Sequence, residues 1–390
     1  MHRGNRHSFR TQTHHLISRF IKFFYPSPLT SKIMKPLLVL LLCAATLHAQ
    51  TESSPPGIKR FIAIDNVCAW PNLTQLPDGS INTTIFGKPS HGQMEGAAEC
   101  WNSADGEFWT KRGIPAPNEP HTNRMNVAAG LAKNDDLLVL CSGWTDVKQP
   151  QRPKQSGFRD DILRNWVCRS SDGGRTWTQI KEFPAPDAGW TEYIPFGDIK
   201  QGADGALHVS CYGGEFTEPT KSTKTNGYRS WHFRSDDDGK TWQRTSIIGR
   251  THNETTLLHL GGKRWMAASR ETAMDLFISE DDGATWGAPQ RVTAKNEING
   301  HLLRLKDKRL LFAYGSRIKD QTGVLAKLSN DEGKTWSEPL RIAHTLESDC
   351  GYPSSIQRAD GKIVTAWYSK ASVNHQRYHM GVAIWESPAP

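Results

Sequence analysis

The sequence predicts an all-β chain, a propeller of four-stranded antiparallel blades, on three observations. The pattern Ser-x-Asp-x-Gly-x-Thr-Trp occurs four times, at Ser170 to Trp177, Ser235 to Trp242, Ser279 to Trp286 and Ser329 to Trp336, with a shorter fifth copy, SADGEFW, at Ser103 to Trp109. Short β-prone runs lead into the full copies: WVCRS, SWHFRS, MDLFIS and GVLAKLS. The copies start 44 to 67 residues apart, which suits one hairpin per four-stranded blade.

Each copy reads as a hairpin tip. Asp accepts hydrogen bonds from backbone N–H groups further along the turn, and Gly supplies the positive φ of a tight reversal. The closing Trp is large enough to fill space between neighbouring sheets. SDDDG around Asp236 resembles the start of a calcium loop, but the distal glutamate and the helical flanks are missing. The repeats therefore read as scaffolding.

Along the chain, residues 1–33 are rich in His and Arg and read as a non-native or extended N-terminal segment. Residues 34–49, MKPLLVLLLCAATLHA, have the Lys, the apolar run and the terminal Ala49 of a secretory signal. The run is too short for a stable membrane span, and Leu42 before Cys43 disfavours a lipoprotein site. The expected location is periplasmic or extracellular.

Seven of the 48 Lys and Arg, and none of the 40 Asp and Glu, fall in residues 1–35, so the formal charge of +8 drops to +1 without them. That removes the main argument for nucleic-acid binding. Six cysteines follow the leader with no CxxC spacing. They read as mostly free, with at most one or two bridges, and zinc is discarded.

The repeat resembles the Asp-box of the sialidase superfamily, from about residue 60 to the C-terminus, and residues 58–390 form the domain. The resemblance implies six blades, boxes on the face away from the active site, and exo-hydrolysis of a terminal sialic acid without a cofactor. It also implies a tyrosine nucleophile activated by a glutamate. NETTLLHLGGKRWMAASR is similar to the family stretch that gives Glu254 and Arg270, YGSRIKDQ gives Arg317, and CGYPSSIQ gives Tyr352.

Two family positions differ. Where the first arginine stands, this chain has Ala69 and Trp70 before Pro71, and the loop GKPSHGQMEGAAECWNS lacks the usual aspartate. Arg124 is a candidate third arginine, Trp70 a substrate-binding surface, and Glu95 or His91 the acid/base. A buried glutamate can be raised in pKa, and a histidine titrates near neutrality without help. His121, Trp144, Trp190, Glu192, Asp198, His252 and His301 are further candidates for the same mouth.

The resemblance implies a secreted, monomeric sialidase-like exo-glycosidase that hydrolyses a terminal acidic sugar, sialic acid or a relative, from glycans. The rivals are a glycosidase or lyase for another acidic sugar such as a uronate, and a non-catalytic glycan-binding propeller.

Overall fold

The computed structural model describes residues 54–147, 161–216 and 225–389, and its regular elements are strands. Residues 1–49, read above as an extended N-terminal segment and a secretory signal, lie outside the described residues. After β1 (Lys59–Asp65) come four-strand runs: β2 (Cys68–Gln75), β3 (Ile81–Phe86), β4 (Ala98–Ser103) and β5 (Thr110–Ala116), then β6 (Asn126–Leu131), β7 (Leu137–Thr145), β8 (Asp161–Ser170) and β9 (Thr178–Ile180). Next are β10 (Ile194–Gln201), β11 (Leu207–Phe216), β12 (Thr225–Ser235) and β13 (Gln243–Gly249), then β14 (Thr255–Gly261), β15 (Arg264–Arg270), β16 (Met274–Ser279) and β17 (Gln290–Arg291). The last are β18 (Glu297–Arg304), β19 (Leu310–Ser316), β20 (Gly323–Ser329) and β21 (Leu340–His344), then β22 (Cys350–Gln357), β23 (Ile363–Lys370) and β24 (Tyr378–Trp385).

The protein is an all-β propeller. Hydrogen bonding defines four separate four-stranded sheets and one eight-stranded sheet, β13-β12-β11-β10-β6-β7-β8-β9. Where six four-stranded blades are expected, hydrogen bonding forms five sheets, because β6 and β10 pair in parallel, Ala128 to Gly130 against Gly197 to Ile199. Glycine is the physical reason, because a Cβ on Gly130 would collide with the Ile199 backbone. The first strands β2, β6, β10, β14, β18 and β22 contact one another in turn, and β22 returns to β2. β1 pairs antiparallel with β24, Lys59 opposite Ile384 through Asp65 opposite His379, so the two ends of the domain share one sheet.

The core lies between the faces of neighbouring sheets. Ile81 and Ile85 pack with Val364 and Val382, and Met266 and Leu276 with Phe312 and Tyr314. Each such buried side chain contributes roughly 1.5–3 kcal/mol.

The boxes hold the sheets together. In the first full copy the Ser170 hydroxyl donates to Asp172 Oδ1 at 2.7 Å and accepts from Gly174 N at 2.8 Å, while Asp172 accepts from Thr176 N and its hydroxyl. The Trp177 indole donates to the Gly174 carbonyl at 3.0 Å. Gly174 has φ 94°, and a Cβ there would lie 2.5 Å from Cys100 Sγ on β4. Gly239 meets Leu138 in the same way, Gly283 meets His232 and Gly333 meets Met266. The six described cysteines are buried and free.

Candidate active site

The boxes join third and fourth strands, whereas the starts of first strands and the ends of second strands lie at the opposite rim. That rim receives Glu254 just before β14, Arg270 at the end of β15, Arg317 just after β19 and Tyr352 in β22. The inner strands are also irregular there. Register shifts fall between Cys68 and Asn72, Phe196 and Lys200, Ile298 and His301, and Gly351 and Ser354. Ala69, Trp70, Asn299 and Tyr352 have φ values of 55°, 32°, 62° and 53° within these breaks. A bulge re-aims side chains, and non-glycine residues held at positive φ concentrate where function requires strain.

The structure brings four predicted residues together. The Tyr352 hydroxyl donates to Glu254 Oε1 at 2.6 Å, and Arg270 Nη1 donates to Glu254 Oε2 at 2.5 Å and to the Tyr352 oxygen at 3.1 Å. Arg317 lies with its guanidinium 5.8 Å from the Tyr352 ring centroid. Asn299 Nδ2 donates to Glu254 Oε2 at 2.6 Å.

Burial raises the Tyr352 phenol, and the Glu254 charge raises it further, against Arg270 and Arg317, which lower it. The phenol is thus neutral at rest, and ionising it requires a proton acceptor. Burial lowers the Arg270 guanidinium pKa, but Glu254 and Tyr352 outweigh this and keep it charged.

A second cluster adjoins the first. Asp349 accepts from the hydroxyls of Tyr368 and Tyr378, and its Oδ2 lies 3.5 Å from His91 Nδ1. Arg317 Nη2 donates to the Tyr368 oxygen at 3.0 Å and stands 3.7 Å from Asp349 Oδ1. Burial pushes the Asp349 carboxyl up, but hydrogen bonds from His91, Tyr368 and Tyr378 prevail and hold it well below the usual carboxylate range. Trp70 packs on Tyr352 with centroids 5.2 Å apart and edge-on to His91 at 5.8 Å. Its indole N–H is buried without a hydrogen-bond partner among the described residues.

Two candidates are placed elsewhere. Glu95 is exposed, and its carboxylate accepts from His121 N at 2.6 Å and Asn118 Nδ2 at 2.9 Å. Arg124 is buried with its guanidinium 3.7 Å from the Trp166 ring centroid, paired with Glu119 at 3.0 Å. Trp144 packs 6.3 Å from Trp70. Asp198 and His301 form a buried pair at 3.0 Å, His252 pairs with Asp275, His121 with Asp146 and Glu192 with Arg164, while Trp190 packs on Trp231.

The sequence reading missed Asn299, Asp349, Tyr368 and Tyr378. One signal for Asn299 exists: Trp70-Pro71, Phe196-Gly197, Asn299-Gly300 and Tyr352-Pro353 mark equivalent breaks in inner strands. Among the described residues, Asp204, His208 and Asp282 gather metal-ligating atoms, but Arg234 donates to both carboxylates at 2.5 Å, which makes this an ion-pair network.

A propeller whose box-free rim gathers a phenol, its hydrogen-bonded carboxylate and two guanidinium groups defines a sialidase-like class. Residues 79–365 match the BNR repeat-like domain, and the chain belongs to that family within the sialidase superfamily. It is 24% identical over 353 residues to a sialidase of Micromonospora viridifaciens, covering 78% of this chain and 53% of that protein, so it spans about half the relative's length. A protein of unknown function from Dyadobacter fermentans superposes with a TM-score of 0.70 at 19% identity, covering 85% of this chain and all of the other. Trypanosoma rangeli sialidase gives 0.63 at 14% identity, over 84% of this chain and 59% of the other. These likenesses show the fold.

Proposed function

We propose that the protein is an exported, monomeric exo-glycosidase that removes a terminal acidic sugar, sialic acid or a relative, from glycans. Counting the two halves of the eight-stranded sheet separately, we take the propeller to have six blades. The observation that carries the reading is the 2.6 Å hydrogen bond from Tyr352 to Glu254, with Arg270 bridging both. Tyr352 attacks the anomeric carbon while Glu254 takes its proton, and an acid on the loop between β3 and β4 protonates the departing oxygen. A phenol suits a carbon that bears a carboxylate, because it approaches with less repulsion than a second carboxylate.

Arg270 and Arg317 bind the sugar carboxylate. Trp70, where the family has its first arginine, puts a largely buried aromatic ring in place of a charge. That substitution favours, as the second reading, an acidic sugar other than sialic acid, such as a uronate. Release of free sialic acid from a chromogenic sialoside, lost in Tyr352→Phe, is the expected result. Undiminished turnover by that variant defeats the assignment, turnover restricted to uronate-capped oligosaccharides selects the second reading, and binding without turnover selects a lectin-like propeller.

A further inference from the structure

We propose that His91, oriented by Asp349, is the acid/base of this site, a proposal that rests on the glycosidase reading above. The loop between β3 and β4 carries both His91 and Glu95, and the structure separates them. Glu95 is bound to the segment 118–121. His91 stands edge-on to Trp70 at 5.8 Å and to Tyr368 at 6.4 Å. The same two rings pack against Tyr352 at 5.2 and 5.5 Å, so the imidazole and the nucleophilic phenol flank one pair of rings.

Asp349 fixes the imidazole. Its Nδ1 stands 3.5 Å from Asp349 Oδ2, so Nδ1 is the nitrogen that Asp349 supports, and the proposed proton exchange runs through Nε2. Such contacts are often long before substrate binds and tighten afterwards. Asp349 is itself held by two tyrosine hydroxyls and faces Arg317, which makes it a rigid support. A histidine also suits the charge of the mouth. Glu254 and Asp349 already oppose Arg270 and Arg317, and a third carboxylate would repel an acidic sugar.

In the first step the His91 Nε2 proton passes to the glycosidic oxygen, which leaves with the bonding electron pair. Tyr352 bonds to the anomeric carbon, and its proton goes to Glu254. In the second step neutral His91 takes a proton from water as the water oxygen attacks that carbon. The bond to Tyr352 breaks and Glu254 returns the proton to the phenolate, so the net reaction is hydrolysis.

The test compares nitrophenyl sialoside, whose leaving group needs little protonation, with sialyllactose, whose leaving alcohol needs it. His91→Asn is expected to lower kcat/KM on sialyllactose about 10²–10⁴-fold while that on the aryl sialoside stays within about tenfold. Azide, a nucleophile that needs no base, is expected to raise kcat of this variant on the aryl substrate. Asp349→Asn, which acts through His91, is expected to show the same selectivity at roughly 10–100-fold. Retained aryl turnover shows that each variant is folded. Equal losses on both substrates, or a selective loss in Glu95→Gln instead, overturn the assignment to His91 alone. Absence of turnover of either substrate by the wild-type protein overturns the sialidase reading itself, and this proposal with it.

Discussion

The Tyr352 hydroxyl and Glu254 Oε1 lie 2.6 Å apart although 98 positions separate them in the chain. The contact spans two sheets, so the closed ring of inner strands is what creates it. Glu254→Gln preserves the shape and an accepting oxygen but cannot take the proton. Its expected effect is a fall in kcat of about 10²–10⁴-fold, larger than any change in KM. Steady-state kinetics checks it, and a kcat near the wild-type value removes Glu254 from the role of base.

The boxes were legible in the sequence because their logic is local: Ser170, Asp172, Gly174 and Thr176 bond within one turn. Glu254, Arg270, Arg317 and Tyr352 were legible through a resemblance that fixes their order between boxes. Asp349 was not, because its partners His91, Tyr368 and Tyr378 come from other strands and loops and leave no spacing to read. The surroundings of Arg124 were not legible for a related reason. Nothing in HTNRMNVAAG shows that Trp166, 42 positions on, offers its ring face. The merging of eight strands into one sheet depends on Gly130, an ordinary glycine until its approach to Ile199 is seen.

Box glycines are expected to tolerate substitution far less than other turn glycines. Gly174 and Gly361 both have positive φ, 94° and 87°, but a Cβ meets Cys100 Sγ at 2.5 Å in the first and nothing within 4 Å in the second. Gly361→Ala therefore carries backbone strain alone, about 1 kcal/mol. Gly174→Ala adds overpacking, for about 2–4 kcal/mol in all. Denaturant unfolding of both variants checks the difference, and equal destabilisation would show that the box does not press on β4.

A buried imidazole pair sets an acid limit on stability. His208 Nδ1 and His232 Nε2 are 2.9 Å apart beneath the box at Gly283. Burial pushes both down, His232 to about 3, while Asp282 partly opposes the fall for His208. The unfolded chain thus binds protons that the folded one refuses. Stability from the pair is complete above about pH 6.5 and declines as pH falls toward the folded values, by up to about 1.4 kcal/mol per pH unit for each imidazole. The double variant His208→Gln/His232→Gln is expected to have a lower Tm at neutral pH but a shallower decline from pH ~6.5 to ~4. Parallel declines in the two proteins would contradict the assignment.

Arg317 and Arg124 separate binding from architecture. Arg317 faces Tyr352, Tyr368 and Asp349 at the rim, so Arg317→Ala removes one of the two guanidinium groups that the proposed function assigns to the substrate carboxylate. The expected result is a KM raised about 10–100-fold on an acidic glycoside, from the loss of a charge-assisted contact of about 1.5–3 kcal/mol. Arg124 instead stacks on Trp166, pairs with Glu119 and donates to the Arg164 carbonyl at 3.2 Å. Arg124→Ala leaves a gap over the indole and strands that carbonyl, so its cost of about 1–3 kcal/mol appears in Tm. Measuring KM and Tm on both variants decides the matter, because a third carboxylate-binding arginine at position 124 predicts the opposite pattern: a raised KM with Tm preserved.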